Sequence, residues 1–435
     1  MKAVVLIWVS VFLCWSSLWV SAQTIADDTS RKESEEIERE NTATAYVEDG
    51  KSLFSREEYD KAIEMYRKAT KLRPDYPEAY LNWGMALGRL QKYEKAAEKF
   101  KRATELKSDY AEAYLEWGWT LYQEAIEKHT KRNLRRVFPP DYYMGTWKTE
   151  QLDRRLKQAE EKCMKAIELK PDYAEAYLRC GNILVTSNKY DEAIDKFRIA
   201  TRLKPDYAEA YLVWGAVLEI LDKYVDAMAM YRKLTELNPD SALGYLQWGQ
   251  MLDVLGRHEE AIAKYGKATE LKPDYALAYY NWSVALGKLG RHEDAVEKCR
   301  KATELKPDYV EAFCNWSVAL GKLGKYEEAI EKCSTATELD PNCSSAHYLW
   351  GLSLAELGRY EVAIKKYGKS IELEPGYAMA WYSMACAYSL QARKEDALEN
   401  LKRAIEADSV CRQKAREDED FQSLQEDKDF RKLVR

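Results

Sequence analysis

Residues 170–177 read KPDYAEAY, and residues 204–211 repeat the same letters 34 positions later. Close copies return at that interval, KPDYALAY at 272–279 and KPDYVEAF at 306–313. The spacing is shared by Pro171, Pro205, Pro239, Pro273, Pro307, Pro341 and Pro375. Self-similarity at a fixed period of this length indicates stacked helical units instead of one globular core.

Within one period, apolar, small and helix-breaking residues follow a fixed order. Apolar residues at positions 4, 7 and 11 form one face of a first helix. Small residues at positions 8 and 20 let a second helix approach closely. Proline at position 32 ends that second helix, because it lacks an amide hydrogen and clashes with the preceding turn. One hairpin cannot bury its own apolar face, so neighbouring hairpins must stack.

The order Tyr211, Trp214-Gly215, Leu218, Ala227, Tyr231, Pro239 resembles the tetratricopeptide repeat. The resemblance covers about 85% of the chain and implies an all-α fold, a right-handed superhelical solenoid of stacked helix-turn-helix hairpins. The ten units are 43–76, 77–110, 111–173, 174–207, 208–241, 242–275, 276–309, 310–343, 344–377 and 378–411.

Both ends of the chain depart from the repeat. Residues 1–22 combine Lys2, an apolar run and the small residues of Val20-Ser21-Ala22, which predicts a signal peptide and export to the periplasm or the extracellular space. An uncleaved membrane anchor is the alternative, since about 20 apolar residues span a bilayer. The polar residues 23–42 predict a flexible lead-in, and residues 412–435 predict helices that cap the last hairpin.

Seven tryptophans occupy position 7, where the family usually has leucine: Trp83, Trp117, Trp214, Trp248, Trp282, Trp316 and Trp350. An exposed aromatic ladder for ligands is one interpretation. Because position 7 faces the partner helix, we expect the tryptophans to belong to the structural core instead. Trp248→Ala should then cost roughly 3–5 kcal/mol of stability.

The third unit carries 29 extra residues, at about 125–153, between its two helices. They join basic to aromatic side chains: Arg132, Arg135, Arg136, Phe138, Tyr142, Tyr143 and Trp147. Long loops in compact repeats are usually functional or disordered. We expect a partner interface or a flap over the groove, and the alternative is an elongated hairpin whose aromatic residues pack on its own helices.

No catalytic, cofactor-binding or metal-binding motif occurs in the sequence, which predicts a protein without enzymatic activity or cofactor. Three of the four histidines replace aromatic residues of the repeat, His258 and His292 at position 17 and His347 at position 4, and His129 stands alone in the insertion. Cysteines at repeat positions predict buried free thiols: Cys163, Cys299 and Cys333 at position 24, and Cys180 at position 7. One pairing near Cys314, Cys343, Cys386 or Cys411 is left open.

In the family, the first helices line a concave groove with positions 2, 5, 6, 9, 12 and 13. These positions predict a peptide-binding set: Asn82, Arg179, Asn182, Tyr280, Asn281, Lys288, Asn315 and Lys322. Asparagine amides at position 6 can hold a peptide backbone through two hydrogen bonds. The alternative is that these asparagines are ordinary residues of the helix surface.

Together these features predict a scaffold that binds extended segments of other proteins in an exported or envelope assembly. The 67 basic and 73 acidic residues nearly cancel, which argues against nucleic acid as a partner. Membrane contact is expected only through an uncleaved N-terminal segment, and the oligomeric state is not determined. Two alternatives are the interaction subunit or relative of a protein O-glycosyltransferase without its catalytic domain, and a membrane-tethered assembly factor.

Overall fold

A computed structural model describes residues 31–133 and 150–435, and no strand occurs in those two ranges. The helices are α1 (31–55), α2 (Tyr59–Leu72), α3 (Pro77–Arg89), α4 (Tyr93–Leu106), α5 (Ala111–Asn133), α6 (Glu150–Leu169), α7 (Ala174–Thr186), α8 (Tyr190–Leu203), α9 (Ala208–Ile220), α10 (Tyr224–Leu237), α11 (Ala242–Val254), α12 (His258–Leu271), α13 (Ala276–Lys288), α14 (His292–Leu305), α15 (Val310–Lys322), α16 (Tyr326–Leu339), α17 (Ser344–Glu356), α18 (Tyr360–Leu373), α19 (Ala378–Leu390), α20 (Lys394–Ala407), α21 (Val410–Glu417) and α22 (Lys428–Val434), with a 3-10 helix at Glu419–Leu424. The predicted all-α class of stacked hairpins is confirmed.

The chain divides into two compact units, Met1–Val213 and Trp214–Arg435. In the first unit, each helix from α2 to α7 packs against the next one along the chain. In the second unit, the helices from α10 to α20 do the same. Odd-numbered helices from α1 to α19 are the first helices of the hairpins, and even-numbered helices from α2 to α20 are the second helices.

The core of each hairpin depends on a close approach at position 8. A Cβ built on Gly84 would lie 2.6 Å from the ring of Phe100, and one on Gly351 would lie 2.5 Å from the ring of Tyr367. These position-24 rings are almost completely buried. The glycine therefore gives the ring its space, as the small residues of the repeat predict.

The chain reverses between the helices of a hairpin at a residue with positive φ. Glycine occupies this place in four turns, for example Gly256 with φ 75° and Gly290 with φ 73°. Glycine has no Cβ and therefore adopts this conformation without strain. The same place is taken by Asn188 and Asp222 in two other turns, and their short polar side chains also tolerate it.

The prediction of a flexible lead-in over residues 23–42 is wrong for residues 31–42, which form the first turns of α1. Glutamate, arginine and lysine are good helix formers, and Arg31 and Glu35 form an ion pair one turn apart. Ala43 and Val47 in the same helix are fully buried. These buried residues attach the charged turns to the array. Residues 23–30 and the predicted signal peptide lie outside the described residues.

The chain after α20 folds back onto the last hairpin. Phe421 and Phe430 are fully buried, with ring centroids 5.6 Å apart, and Phe421 meets the ring of Tyr382 of α19 edge-on at 5.8 Å. Leu424 is buried beside them, and Leu433 packs against the same cluster. Aromatic packing of this kind covers the apolar face that a missing next hairpin would otherwise cover.

Candidate peptide-binding site

All seven position-7 tryptophans are half-buried, so they lie at the margin of the core instead of at its centre. A tyrosine or phenylalanine at position 4 is stacked near many of them, as Tyr245 is beside Trp248 with ring centroids 6.4 Å apart. A lysine from the second helix covers the indole, as Lys264 does at 3.8 Å from the Trp248 ring. The flexible lysine stems cover these rings without enclosing them, which explains the incomplete burial.

The position-6 asparagines do not form the expected ladder along the groove. Asn82 Nδ2 donates to the backbone oxygen of Glu78 in its own helix, at 2.8 Å. Asn315 Nδ2 instead donates to Ser283 Oγ of the preceding hairpin, at 2.8 Å. Asn281 Nδ2 is buried and has no hydrogen-bond partner within the described ranges. The amides of Asn82 and Asn315 are therefore engaged within the array, and the amide of Asn281 is buried.

The other predicted residues of the second unit have mixed surroundings. Lys288 forms an ion pair with Asp253 of the preceding first helix, at 2.9 Å, and Asp253 also contacts His258. Tyr280 packs against Tyr309 with ring centroids 5.2 Å apart, and burial raises the pKa of Tyr280. Lys322 is exposed. Lys288 and Tyr280 are therefore engaged in contacts within the array, whereas the described residues provide no such contact for Lys322.

In the compact unit Met1–Val213, a cavity of about 430 Å³ lies between three helices. Helices α3 and α5 form its walls, and the start of α7 lies at its edge. Leu81, Met85 and Trp119 supply apolar lining. Polar and charged residues make up most of the rest of the lining, among them Arg89, Glu112 and Gln123, and Arg89 is exposed. The predicted groove residue Arg179 lies in this lining, whereas Asn182, one turn further along α7, is half-buried and does not line it.

An ion-pair network crosses the cavity at position 6. Arg179 donates to Glu116 at 2.9 Å and also to Glu175, and its guanidinium lies 5.2 Å from the centre of the Trp119 ring. Burial raises the pKa of Glu116, with Arg179 opposing this effect. Burial acts to lower the pKa of Arg179, but the two carboxylates outweigh it and raise the pKa. Arg179 is thus bound internally, and it holds Glu116 and Trp119 in place.

Sequence reasoning did not select Arg89, Glu116 and Trp119, although all three occupy groove positions. One available signal was the opposite charge of Glu116 and Arg179 at the same position of successive units. Copies of one position in neighbouring hairpins lie roughly 8–10 Å apart, a distance that two long side chains bridge. A second signal was the large indole of Trp119 at position 9, where most units have a smaller residue.

The insertion lies between two lengthened helices. Helix α5 has 23 residues, whereas the first helix α3 has 13, and α6 has 20 residues, whereas the second helix α4 has 14. Ala125 of α5 packs with Leu152 and Leu156 of α6 in a buried cluster. This described part agrees with the elongated-hairpin alternative. The side chain of Arg132 and the residues Arg135, Arg136, Phe138, Tyr142, Tyr143 and Trp147 lie outside the described residues.

One group of potential metal ligands lies close together in the part of the chain that the structure describes. Ligand atoms of Cys386, Asp418 and Asp420 are within 4.8 Å of one another. Asp418 accepts hydrogen bonds from the Tyr382 hydroxyl, at 2.6 Å, and from the Asp420 amide, at 3.1 Å. The cluster is therefore engaged in holding the C-terminal segment on α19. In the same described ranges, no helix is long and apolar enough to cross a membrane.

Several solved structures are similar to the chain. YrrB, a TPR protein with an unusual peptide-binding site, is 28% identical over 41% of this chain and 92% of its own, with a TM-score of 0.35. Yeast Tom70 is 16% identical over 89% of this chain and 100% of its own, with a TM-score of 0.41. Cut9–Hcn1, an APC/C hetero-tetramer, is 14% identical over 91% of this chain and 84% of its own, with a TM-score of 0.45. No curated protein matches the sequence.

Family models of the repeat match along most of the array. A TPR repeat model matches residues 50–91, 181–219 and 254–290, and tetratricopeptide repeat models match 77–110, 276–309, 314–378 and 378–411. Together these segments cover more than half of the chain. Helical hairpins with a small residue at position 8 and a buried ring at position 24 recur in the matched segments. The chain therefore belongs to the tetratricopeptide-repeat family.

Proposed function

We propose that the protein is a non-catalytic scaffold that binds an extended segment of a partner protein along its first helices. The cavity between α3, α5 and α7 is the proposed principal site. Its volume of about 430 Å³ lies in the range of pockets that enclose small groups, here one or two side chains. Its lining is more polar than apolar, so a bound side chain would meet hydrogen-bonding and charged groups as well as the apolar surface of Leu81, Met85 and Trp119.

The observation that carries this proposal is the contrast between two arginines of the cavity. Arg179 is neutralised by Glu116 and Glu175, and its side chain is only 18% exposed. Arg89 is exposed, and the structure gives it no ion pair among the described residues. Arg89 is therefore the cation that a ligand can reach. The matching segment places an apolar side chain against Met85 and Trp119 and a carboxylate on Arg89.

The first helices of the second unit support contact with an apolar partner segment. They expose aliphatic side chains at groove positions, including Leu243, Val254, Leu277 and Val318, which are 39–57% exposed. Clustered exposed apolar residues mark interaction surfaces more often than isolated ones do.

The test uses random peptides displayed on phage and selected on the immobilised full chain. Affinity of a selected peptide is then measured by fluorescence anisotropy. Arg89→Glu should weaken binding by about tenfold or more, because it replaces the free cation with a carboxylate. Lys95→Glu is the matched control, since Lys95 lines a separate cavity between α2 and α4. Equal loss in both variants, or none in either, would overturn this assignment of the site.

We propose further that the scaffold is exported, with Gln23 as the first residue of the mature protein. The support is the apolar segment and the small residues before Gln23. N-terminal sequencing of the native protein tests it, and retention of Met1 in a membrane fraction would favour the membrane-tethered assembly factor.

The insertion between α5 and α6 stays a proposed second interface. Loss of partner binding on deletion of residues 134–149, with unchanged melting temperature, would support it.

A further inference from the structure

Positions 5 and 34 of one unit contact each other in the C-terminal half of the array. In the unit 276–309, the rings of Tyr280 and Tyr309 lie 5.2 Å apart. In the unit 344–377, the rings of Tyr348 and Tyr377 lie 4.9 Å apart. Position 5 is on the first helix, and position 34 immediately precedes the first helix of the next unit. The two positions therefore connect neighbouring hairpins.

The unit between these two has cysteine at both positions, Cys314 and Cys343. Both residues are half-buried, and their side chains are hydrogen-bonded to each other. The cysteines at position 24 differ, because Cys299 and Cys333 are fully buried and hydrogen-bond to Ser283 and Ser317. At the two positions where the flanking units have contacting tyrosines, this unit therefore has two adjacent, half-buried thiols.

The local structure makes the two thiols unequal. Cys343 is the N-cap residue of α17, and the Ala346 amide in the first turn of that helix is one of the groups that favour its thiolate. The Cys314 thiol and this amide together lower the pKa of Cys343 to about 7. The hydrogen bond to Cys343 and burial raise the pKa of Cys314. Helix N-termini stabilise thiolates in this way, so Cys343 is the nucleophile and Cys314 the hydrogen-bond donor.

We propose that Cys314 and Cys343 form a reversible intramolecular disulfide that joins α15 to the N-terminus of α17. The oxidant is a small-molecule or protein disulfide. The Cys343 thiolate attacks one sulfur of that disulfide, breaks its S–S bond and releases one thiolate. Cys314 then loses its proton and attacks Cys343 Sγ in the mixed disulfide, which releases the second thiolate. The two cysteines lose two electrons and two protons, and the reduced oxidant gains them.

The new bond would tie two neighbouring hairpins of the second unit together. It closes a loop of about 30 residues, which restricts the unfolded chain and raises the melting temperature of the oxidised protein. Because only the oxidised protein gains this stability, the disulfide links the stability of this part of the array to the redox state of its surroundings. Cys314 also occupies a groove position on α15.

The experiment incubates the folded full chain with glutathione disulfide, then unfolds it in guanidinium chloride with iodoacetamide to block every remaining thiol, and maps the peptides by mass spectrometry. Two of the eight cysteines of the described residues should escape alkylation, in one peptide that joins Cys314 to Cys343. Cys314→Ser should stop at the glutathione adduct of Cys343, and Cys343→Ser should carry no adduct on Cys314. Cys299→Ser is the matched control and should keep the disulfide.

Two results would overturn the proposal: all eight thiols stay alkylated after oxidation, or another pair of cysteines is joined. An adduct on Cys314 instead of Cys343 would overturn the assigned order of attack. The double variant Cys314→Tyr/Cys343→Tyr restores the tyrosine pair of the adjacent units. It should fold, remain inert to oxidant and show no redox-dependent melting temperature. If its melting temperature still rises on oxidation, the disulfide is not the cause.

Discussion

Gly249 offers the sharpest test of how the hairpins pack. In α11 its missing side chain faces Tyr265 of α12, and an added Cβ would lie 2.6 Å from Cε1 and 2.8 Å from Cδ1 of that ring. Tyr265 is 1% exposed, so it cannot move outward. Overpacking of this kind costs about 1–3 kcal/mol, whereas alanine gains about 1 kcal/mol over glycine in a helix. Gly249→Ala should therefore destabilise the protein by up to about 2 kcal/mol.

Gly287 is the matched control for this substitution. It lies in the next first helix, α13, and an added Cβ would meet no atom within 4 Å. Gly287→Ala should therefore stabilise the protein by up to about 1 kcal/mol through helix propensity alone. The assay is urea unfolding followed by circular dichroism and tryptophan fluorescence. If Gly249→Ala is as stable as Gly287→Ala, the close approach of ring and backbone does not govern the packing.

Three further substitutions test the interpretation of other residues. Trp248→Ala should cost about 2 kcal/mol in the same unfolding assay, below the 3–5 expected for a core residue, because the indole is half-buried. Asn281→Leu should stabilise by about 1 kcal/mol, since it removes a buried amide without a partner, and a loss of stability would contradict this. Burial lowers the pKa of His347 below 6.5, so the unfolded chain binds protons first as the pH falls through that value. Between about pH 7.5 and 5.5, the melting temperature of His347→Tyr should therefore fall less than that of the wild type. Equal falls in both proteins would contradict a lowered pKa of His347.

The repeat could be predicted from the sequence because its causes are local. The proline spacing, the apolar face of each first helix and the small residue at position 8 recur within each unit, and each has one physical role. Helix 31–42 was missed because its polar composition resembles that of a flexible segment. Its helical state depends on attachment through Ala43 and Val47, which are buried by tertiary packing.

The candidate site could be predicted only in part. Arg179 lines the cavity, but the amide of Asn281 is buried without a partner among the described residues, and the amide of Asn315 bonds to the preceding hairpin. A position number places a residue on one face of its helix, and the direction of a long or polar side chain then depends on what the adjacent hairpin presents. Ser283 offers Asn315 an acceptor, for example, and no pattern within one unit contains that pair.

By itself, the sequence determined the helical hairpins and their order, because periodic burial and helix-breaking residues act within one unit or between neighbours. The tertiary structure alone decided which charged side chains form ion pairs inside the array and which are exposed without one. Glu116 and Glu175 neutralise Arg179, while Arg89 has no ion pair among the described residues, and Cys314 of α15 meets Cys343 at the start of α17. These outcomes depend on distances between separate hairpins, which stacking sets and a single repeat does not encode.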